Sequence, residues 1–112
     1  KLEFLDEWME AHIQEAASLG KPLLFEEYGK HRPVSQRDLF YERVHARFEA
    51  AASSKELGVG TLMWTLAAPG YEDFDGNSVY LPSDESTGKR LKKHALNFLS
   101  IDRRSTALPL PP

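Results

Sequence analysis

An α/β fold with parallel strands is what this sequence predicts, and three observations predict it. Helical amphipathic periodicity recurs three times, two short apolar runs bounded by Pro and Gly stand between the helices, and the two kinds of element alternate. Strands separated by helices imply parallel βαβ crossovers, because a parallel partner is reached only by a long return across the sheet. A parallel sheet is buried on both faces. Two such strands with three helices leave two bare edges and half a core. The five elements therefore suit a segment of a larger α/β protein better than a free-standing module.

Residues 2–19 place Leu2, Phe4, Leu5, Trp8, Met9, His12, Ile13, Ala16 and Ala17 on one helical stripe. Glu3, Asp6, Glu7, Glu10 and Gln14 fill the other face. Gly20 stops that helix and Lys21-Pro22 prevents its continuation. The run Pro22-Leu23-Leu24-Phe25-Glu26-Glu27-Tyr28, closed by Gly29, is short and apolar and predicts a buried strand. After a polar loop, Ser35 with Asp38 predicts a capping box, in which each side chain satisfies a free backbone N–H. Leu39, Phe40, Val44, Phe48, Ala51 and Ala52 carry that second helix to about residue 53.

Residues 58–66 predict a second buried strand, whose glycines admit a neighbouring backbone closely. A loop over 67–84, rich in Gly, Asp, Pro and Tyr, is long enough to be either functional or disordered. Leu91, Ala95, Leu96 and Leu99 predict a third helix over 86–100, with Lys89, Arg90, Lys92 and Lys93 as a solvated face.

Composition narrows the partners. The 112 residues are 41% hydrophobic and 28% charged, with a formal net charge of -3, so no broad basic field invites nucleic acid. No apolar run approaches the roughly 20 residues of a membrane-spanning helix, so no membrane partner is expected. Cys is absent, which excludes disulfides and thiolate metal sites but leaves secretion open. Lys1 is not an initiator Met and no leader-like apolar stretch follows it, so the chain reads as cut from something longer.

Chemistry gathers at two strand ends. Glu26 and Glu27 close the first strand, where ligands of parallel α/β proteins bind. Strict strand alternation would send the two acids to opposite faces, so only one would meet a ligand, and both could equally be solvated. Trp64 closes the second strand, as a sugar-stacking platform or as core. His12, His31, His45 and His94 include no pair at metal-binding spacing, and Asp73, Asp75 and Asn77 offer too few ligands for calcium. No metal and no cofactor is expected.

The segment Lys21-Pro22-Leu23-Leu24-Phe25-Glu26-Glu27-Tyr28-Gly29-Lys30 resembles the seventh strand of endo-β-1,4-mannanases of glycoside hydrolase family 5. Gly60-Thr61-Leu62-Met63-Trp64 is similar to their eighth strand. Tyr71-Glu72-Asp73-Phe74-Asp75-Gly76 through Val79-Tyr80 resembles the loop after it, and Arg37-Asp38-Leu39-Phe40 the start of their seventh helix. The resemblance runs in order over nearly the whole chain and departs at Glu26, where the family has a small residue.

It implies the C-terminal part, helix 6 to helix 8, of a (β/α)8 TIM barrel, with residues 1–100 in the catalytic domain and 101–112 a disordered tail. Glu27 matches the catalytic nucleophile and Trp64 the platform beneath the sugar at the cleavage point. The implied reaction is retaining hydrolysis of β-1,4-mannan by two carboxyl groups. The acid/base, an Asn-Glu pair in the family, has no counterpart anywhere in this sequence. It would come with strands 1–6, the segment's expected partner, so this stretch alone should be inactive. The resemblance also implies a secreted enzyme. A β-1,4-glucanase, or a non-catalytic carbohydrate-binding or interaction module derived from such a barrel, would carry the same two residues.

Overall fold

The computed structural model describes residues 2–54 and 57–106, with side chains as far as residue 101. In chain order it contains α1 (Leu2–Leu19), β1 (Leu23–Tyr28), α2 (Val34–Ser54), β2 (Val59–Met63), β3 (Leu66–Ala67), β4 (Val79–Tyr80) and α3 (Glu85–Thr106). The expected alternation is present, and β1 and β2 run parallel, with Leu23 opposite Val59 and Glu26 opposite Leu62.

The predicted second strand is shorter than expected. The Trp64 N–H still donates to the Tyr28 carbonyl at 2.8 Å, but the next acceptor, Thr65 O, takes the Val79 N–H instead. The ladder is thereby handed to the loop, where Leu66 and Ala67 pair in parallel with Val79 and Tyr80. The stretch read as one long loop thus holds a small second sheet.

The helices lie along one side of the β1–β2 pair. Phe25 stacks on Phe48 of α2 at 4.9 Å and on Tyr28 at 5.2 Å, both nearly parallel, while Trp8 of α1 tilts over it at 5.6 Å. Such ring pairs add about 0.5–1.5 kcal/mol each to the free energy of burying the rings. The other strand face is uncovered. Leu24 is 52% exposed and Leu62 55% exposed, although a parallel sheet ordinarily buries both faces.

The helix faces differ from expectation in instructive ways. In α1 only Met9, Ile13 and Ala16 are buried; Phe4, Trp8, His12 and Ala17 of the wider stripe are exposed. The capping box is not formed. Both the Gln36 and Arg37 N–H groups donate to the Pro33 carbonyl at 3.1 Å, while Asp38 turns inward and accepts from Thr87 Oγ1 at 2.5 Å. In α3 the buried stripe is Thr87 and His94 with Leu91 and Phe98 partly covered, whereas Leu96 and Leu99 are more than half exposed. Arg90, expected on the solvated face, is half-buried and reaches Asp38 and Glu42. α3 also continues to Thr106, so residues 101–106, assigned to the tail, are helical; residues 107–112 lie outside those described.

A buried ionic knot fastens α2 to the loop and to α3. Arg37 is fully buried, pairs with Asp84 at 2.9 Å and donates to Thr87 Oγ1 and the Ser78 carbonyl. Burial pushes the Asp84 carboxyl up, but the Tyr80 N–H and the Arg37 guanidinium outweigh it and hold the group below its ordinary value. Removing one partner of such a pair costs about 3–5 kcal/mol, because the other charge is stranded.

Candidate active site

Glu27 sits in a β-bulge at the carboxyl end of β1. Glu26 pairs with Leu62 and Tyr28 with Met63, which leaves Glu27 as the extra residue with no partner on β2. Its φ is +56°, the left-handed region, and among the described residues no other non-glycine has a positive φ. That conformation costs about 1–3 kcal/mol for a side-chain-bearing residue and is found disproportionately at functional sites.

The bulge corrects the strand alternation assumed for the two acids. Phe25 and Tyr28 both pack on the helix side, three residues apart, so the acids between them are both left exposed. Without the inserted residue, Glu27 would have pointed into the aromatic core and Tyr28 away from it.

Trp64 is brought to the same place by the adjacent strand, through its N–H bond to Tyr28. Gly29 is required there, since a Cβ would run into the Trp64 carbonyl oxygen and lie 3.2 Å from Asn77 Cβ. The indole is 45% exposed within this chain. It lines an open groove of about 620 Å³ together with Leu66, Tyr71, Glu72, Phe74 and Asp75. Its Nε1–H donates to Asp75 Oδ2 at 2.5 Å. A half-exposed indole beside acids and further aromatics suits the flat, hydroxyl-rimmed face of a sugar, which needs stacking area and hydrogen-bond acceptors together.

Behind the strand ends lies a buried polar cluster that the sequence spacing did not suggest. Tyr28 Oη and His45 Nε2 share a hydrogen bond at 3.0 Å, and the His45 ring stacks on His94 at 3.8 Å. His94 Nδ1 faces Glu49 at 2.7 Å and its Nε2 meets Thr61 Oγ1 at 2.8 Å. Burial, then the neighbouring His94 and Arg90, lower the His45 pKa to about 3. These two histidines are satisfied core groups that hold Tyr28, and through it the bulge. His12 is different: it is exposed and its ring nitrogen reaches the Trp8 carbonyl one turn back. Among the described residues no three His, Asp or Glu side chains converge as a metal site.

The sequence offered Asp75 only within a discounted calcium set and a loop resemblance, and only the fold reveals that its carboxylate meets the indole.

No protein-family model matches the chain. It is 36% identical over 93 residues to mannan endo-1,4-beta-mannosidase 5 of Arabidopsis thaliana, covering 78% of this chain and 22% of that protein. It is 37% identical over 109 residues to mannan endo-1,4-beta-mannosidase 1 of Oryza sativa subsp. japonica, covering 89% of this chain and 25% of that protein. The chain thus spans about a quarter of the length of these curated relatives. A glycoside hydrolase family 5 mannosidase from Rhizomucor miehei, crystallised with mannosyl-fructose, matches 91% of this chain and 32% of its own, with TM-score 0.76 and 20% identity. At that identity the likeness speaks for the fold alone. By sequence the chain is a homologue of the C-terminal part of the plant mannan endo-1,4-beta-mannosidases, and by fold it is a small α/β piece matching part of a family 5 TIM barrel.

Proposed function

We propose that this chain forms helix 6 to helix 8 of a (β/α)8 barrel that cleaves internal β-1,4 bonds of mannan with retention, Glu27 acting as nucleophile and Trp64 as platform. The observation that carries the reading is Glu27 itself. A strained carboxylate on a bulge, at the carboxyl end of a parallel strand whose neighbour leads into a half-exposed Trp, is costly to keep without a use.

The chemistry follows from that position. Glu27 attacks the anomeric carbon as the bond to the leaving oxygen breaks, forming a glycosyl ester, while a second carboxyl group protonates that oxygen. The same second group then takes a proton from water, which hydrolyses the ester and frees Glu27. The two carboxyls must stand about 5–5.5 Å apart across the scissile bond. Glu26 projects from the same strand end as Glu27 and cannot serve from the opposite side. The acid/base comes from strands 1–6, so residues 1–112 alone turn over no substrate. Action outside the cell, where mannan is found, belongs to the same proposal.

The test is hydrolysis of β-mannan by the protein with strands 1–6 present, following the product anomer by NMR. Retained β-product from the wild type and none from Glu27→Ala is the expected result. Inverted product overturns the mechanism. A wild type that cleaves β-1,4-glucan but not mannan moves the substrate, and one that binds mannan without cleaving it makes this a binding module.

A further inference from the structure

Trp64 has a platform's exposure but not a platform's rigidity. A half-exposed indole is free to rotate about its Cβ–Cγ bond, for which the energy wells are broad. One contact removes that freedom: the Nε1–H, the only polar group on the ring, donates to Asp75 Oδ2 at 2.5 Å. We propose that Asp75 is a positioning residue that fixes the plane of the Trp64 indole beneath the sugar; this rests on the mannanase reading above.

Asp75 is itself held at both oxygens. Its Oδ1 accepts the Asn77 N–H at 3.0 Å, and Asn77 Nδ2 donates to the Asp75 carbonyl at 3.4 Å, closing an Asx turn. The loop around it is stapled to the fold. Asp73 Oδ1 accepts the Ser78 N–H at 3.1 Å, and Tyr80 Oη donates to the Tyr71 carbonyl at 2.8 Å. Gly76, at φ +74°, turns beneath His31, whose Nδ1 would lie 2.6 Å from any Cβ there. The carboxylate is thus an anchored acceptor.

The Asn77 N–H and then the Trp64 N–H hold the Asp75 carboxyl below its ordinary value. It is ionised across the neutral and mildly acid range, and a charged acceptor makes the bond roughly twice as strong as a neutral one. A carboxylate on the N–H also enriches the indole face with electrons. That favours the positive charge which a glycosidase transition state spreads over the sugar ring. Asp75 should therefore act more on kcat than on KM.

The experiment compares Asp75→Ala and Asp75→Asn in the complete protein, reading mannohexaose kinetics and the Trp64 indole N–H resonance, assigned by its loss in Trp64→Phe. Asp75→Ala should lower kcat/KM about 10-fold or more, mostly through kcat, and shift the resonance upfield. Asp75→Asn, whose amide oxygen can still accept but carries no charge, should restore much of the resonance position and only part of kcat/KM. In a Trp64→Phe background Asp75→Ala should cost nothing further. An equal loss in that background, or an unmoved resonance, overturns the positioning role while leaving the mannanase reading standing. A wild type that neither cleaves nor binds the oligosaccharide overturns that reading, and with it the purpose assigned to Asp75.

Discussion

The two faces of the β1–β2 pair are built to opposite standards. On the helix side, Phe25 and Tyr28 are closed in by Phe48, Tyr41 and His45, and every buried ring has a ring neighbour. On the other side Leu24, Glu26, Glu27 and Leu62 are all exposed. A self-sufficient domain would cover its apolar strand face, and a doubly wound sheet would have helices there. A barrel segment leaves that face to the lumen, filled by side chains from the other strands. The difference teaches that, among the described residues, the core of this chain is built on the helix side of the pair alone.

The largest expected effect is catalytic and lies on the open face. In the complete protein Glu27→Ala should lower turnover by about 10⁴-fold or more, the scale of losing a nucleophile, with the fold intact by circular dichroism. Glu26→Ala should cost far less. A larger loss at Glu26 would mean that the wrong acid of the pair has been assigned.

Packing offers the next test. Phe48→Ala on the closed face should destabilise the complete protein by about 3–5 kcal/mol in chemical denaturation. Leu62→Ala on the open face should cost about 2–5 kcal/mol there, because the lumen would then bury it. A Leu62 cost within about 0.5 kcal/mol, the scale of a surface change, would show that the face stays wet. The 112-residue chain alone, with that face bare, should show no cooperative thermal transition by circular dichroism.

Much of this comparison was legible in the sequence. Helical periodicity identifies the three helices, and short apolar runs bounded by Pro and Gly identify the two parallel strands between them. The open face was legible only as arithmetic, a sheet with too few elements. What escaped were contacts whose two halves lie far apart in the chain. Asp38 reads as a helix cap because its position is local, yet it serves Thr87, 49 residues on. His94 reads as part of no stripe because its partners, Glu49 and Thr61, lie on other elements. The bulge escaped too. Period 2 assumes an unbroken strand, and nothing in Glu26-Glu27 marks which residue is the insertion.

The closed face has its own weakness, at His45. Its pKa is about 3 in the folded state against an ordinary 6.5, so the folded protein keeps it neutral where the unfolded chain takes up a proton. The resulting stability is fully present above pH 6.5 and is lost as pH falls toward 3, at up to about 1.4 kcal/mol per unit. The groups that face it are His94, Arg90 and Tyr28. His45→Gln should flatten the dependence of denaturation midpoint on pH across this window. An unchanged slope would place the acid sensitivity elsewhere.

The smallest effect is the most diagnostic, because it asks whether the strain at Glu27 is kept for function. Left-handed φ costs any side chain, and glycine adopts it freely. Glu27→Gly relieves about 1–3 kcal/mol of strain but gives back up to about 1 kcal/mol in unfolded-chain entropy. Because the carboxylate is exposed, few packing contacts are lost with it. The variant should therefore be more stable than wild type, by up to about 2 kcal/mol in denaturant titration, and inactive. A Glu27→Gly protein less stable than wild type would mean that the carboxylate contributes to folding, and that the bulge is structural. Greater stability with no turnover would mean that the open face gives up stability to hold one carboxylate in place, which the closed face nowhere has to do.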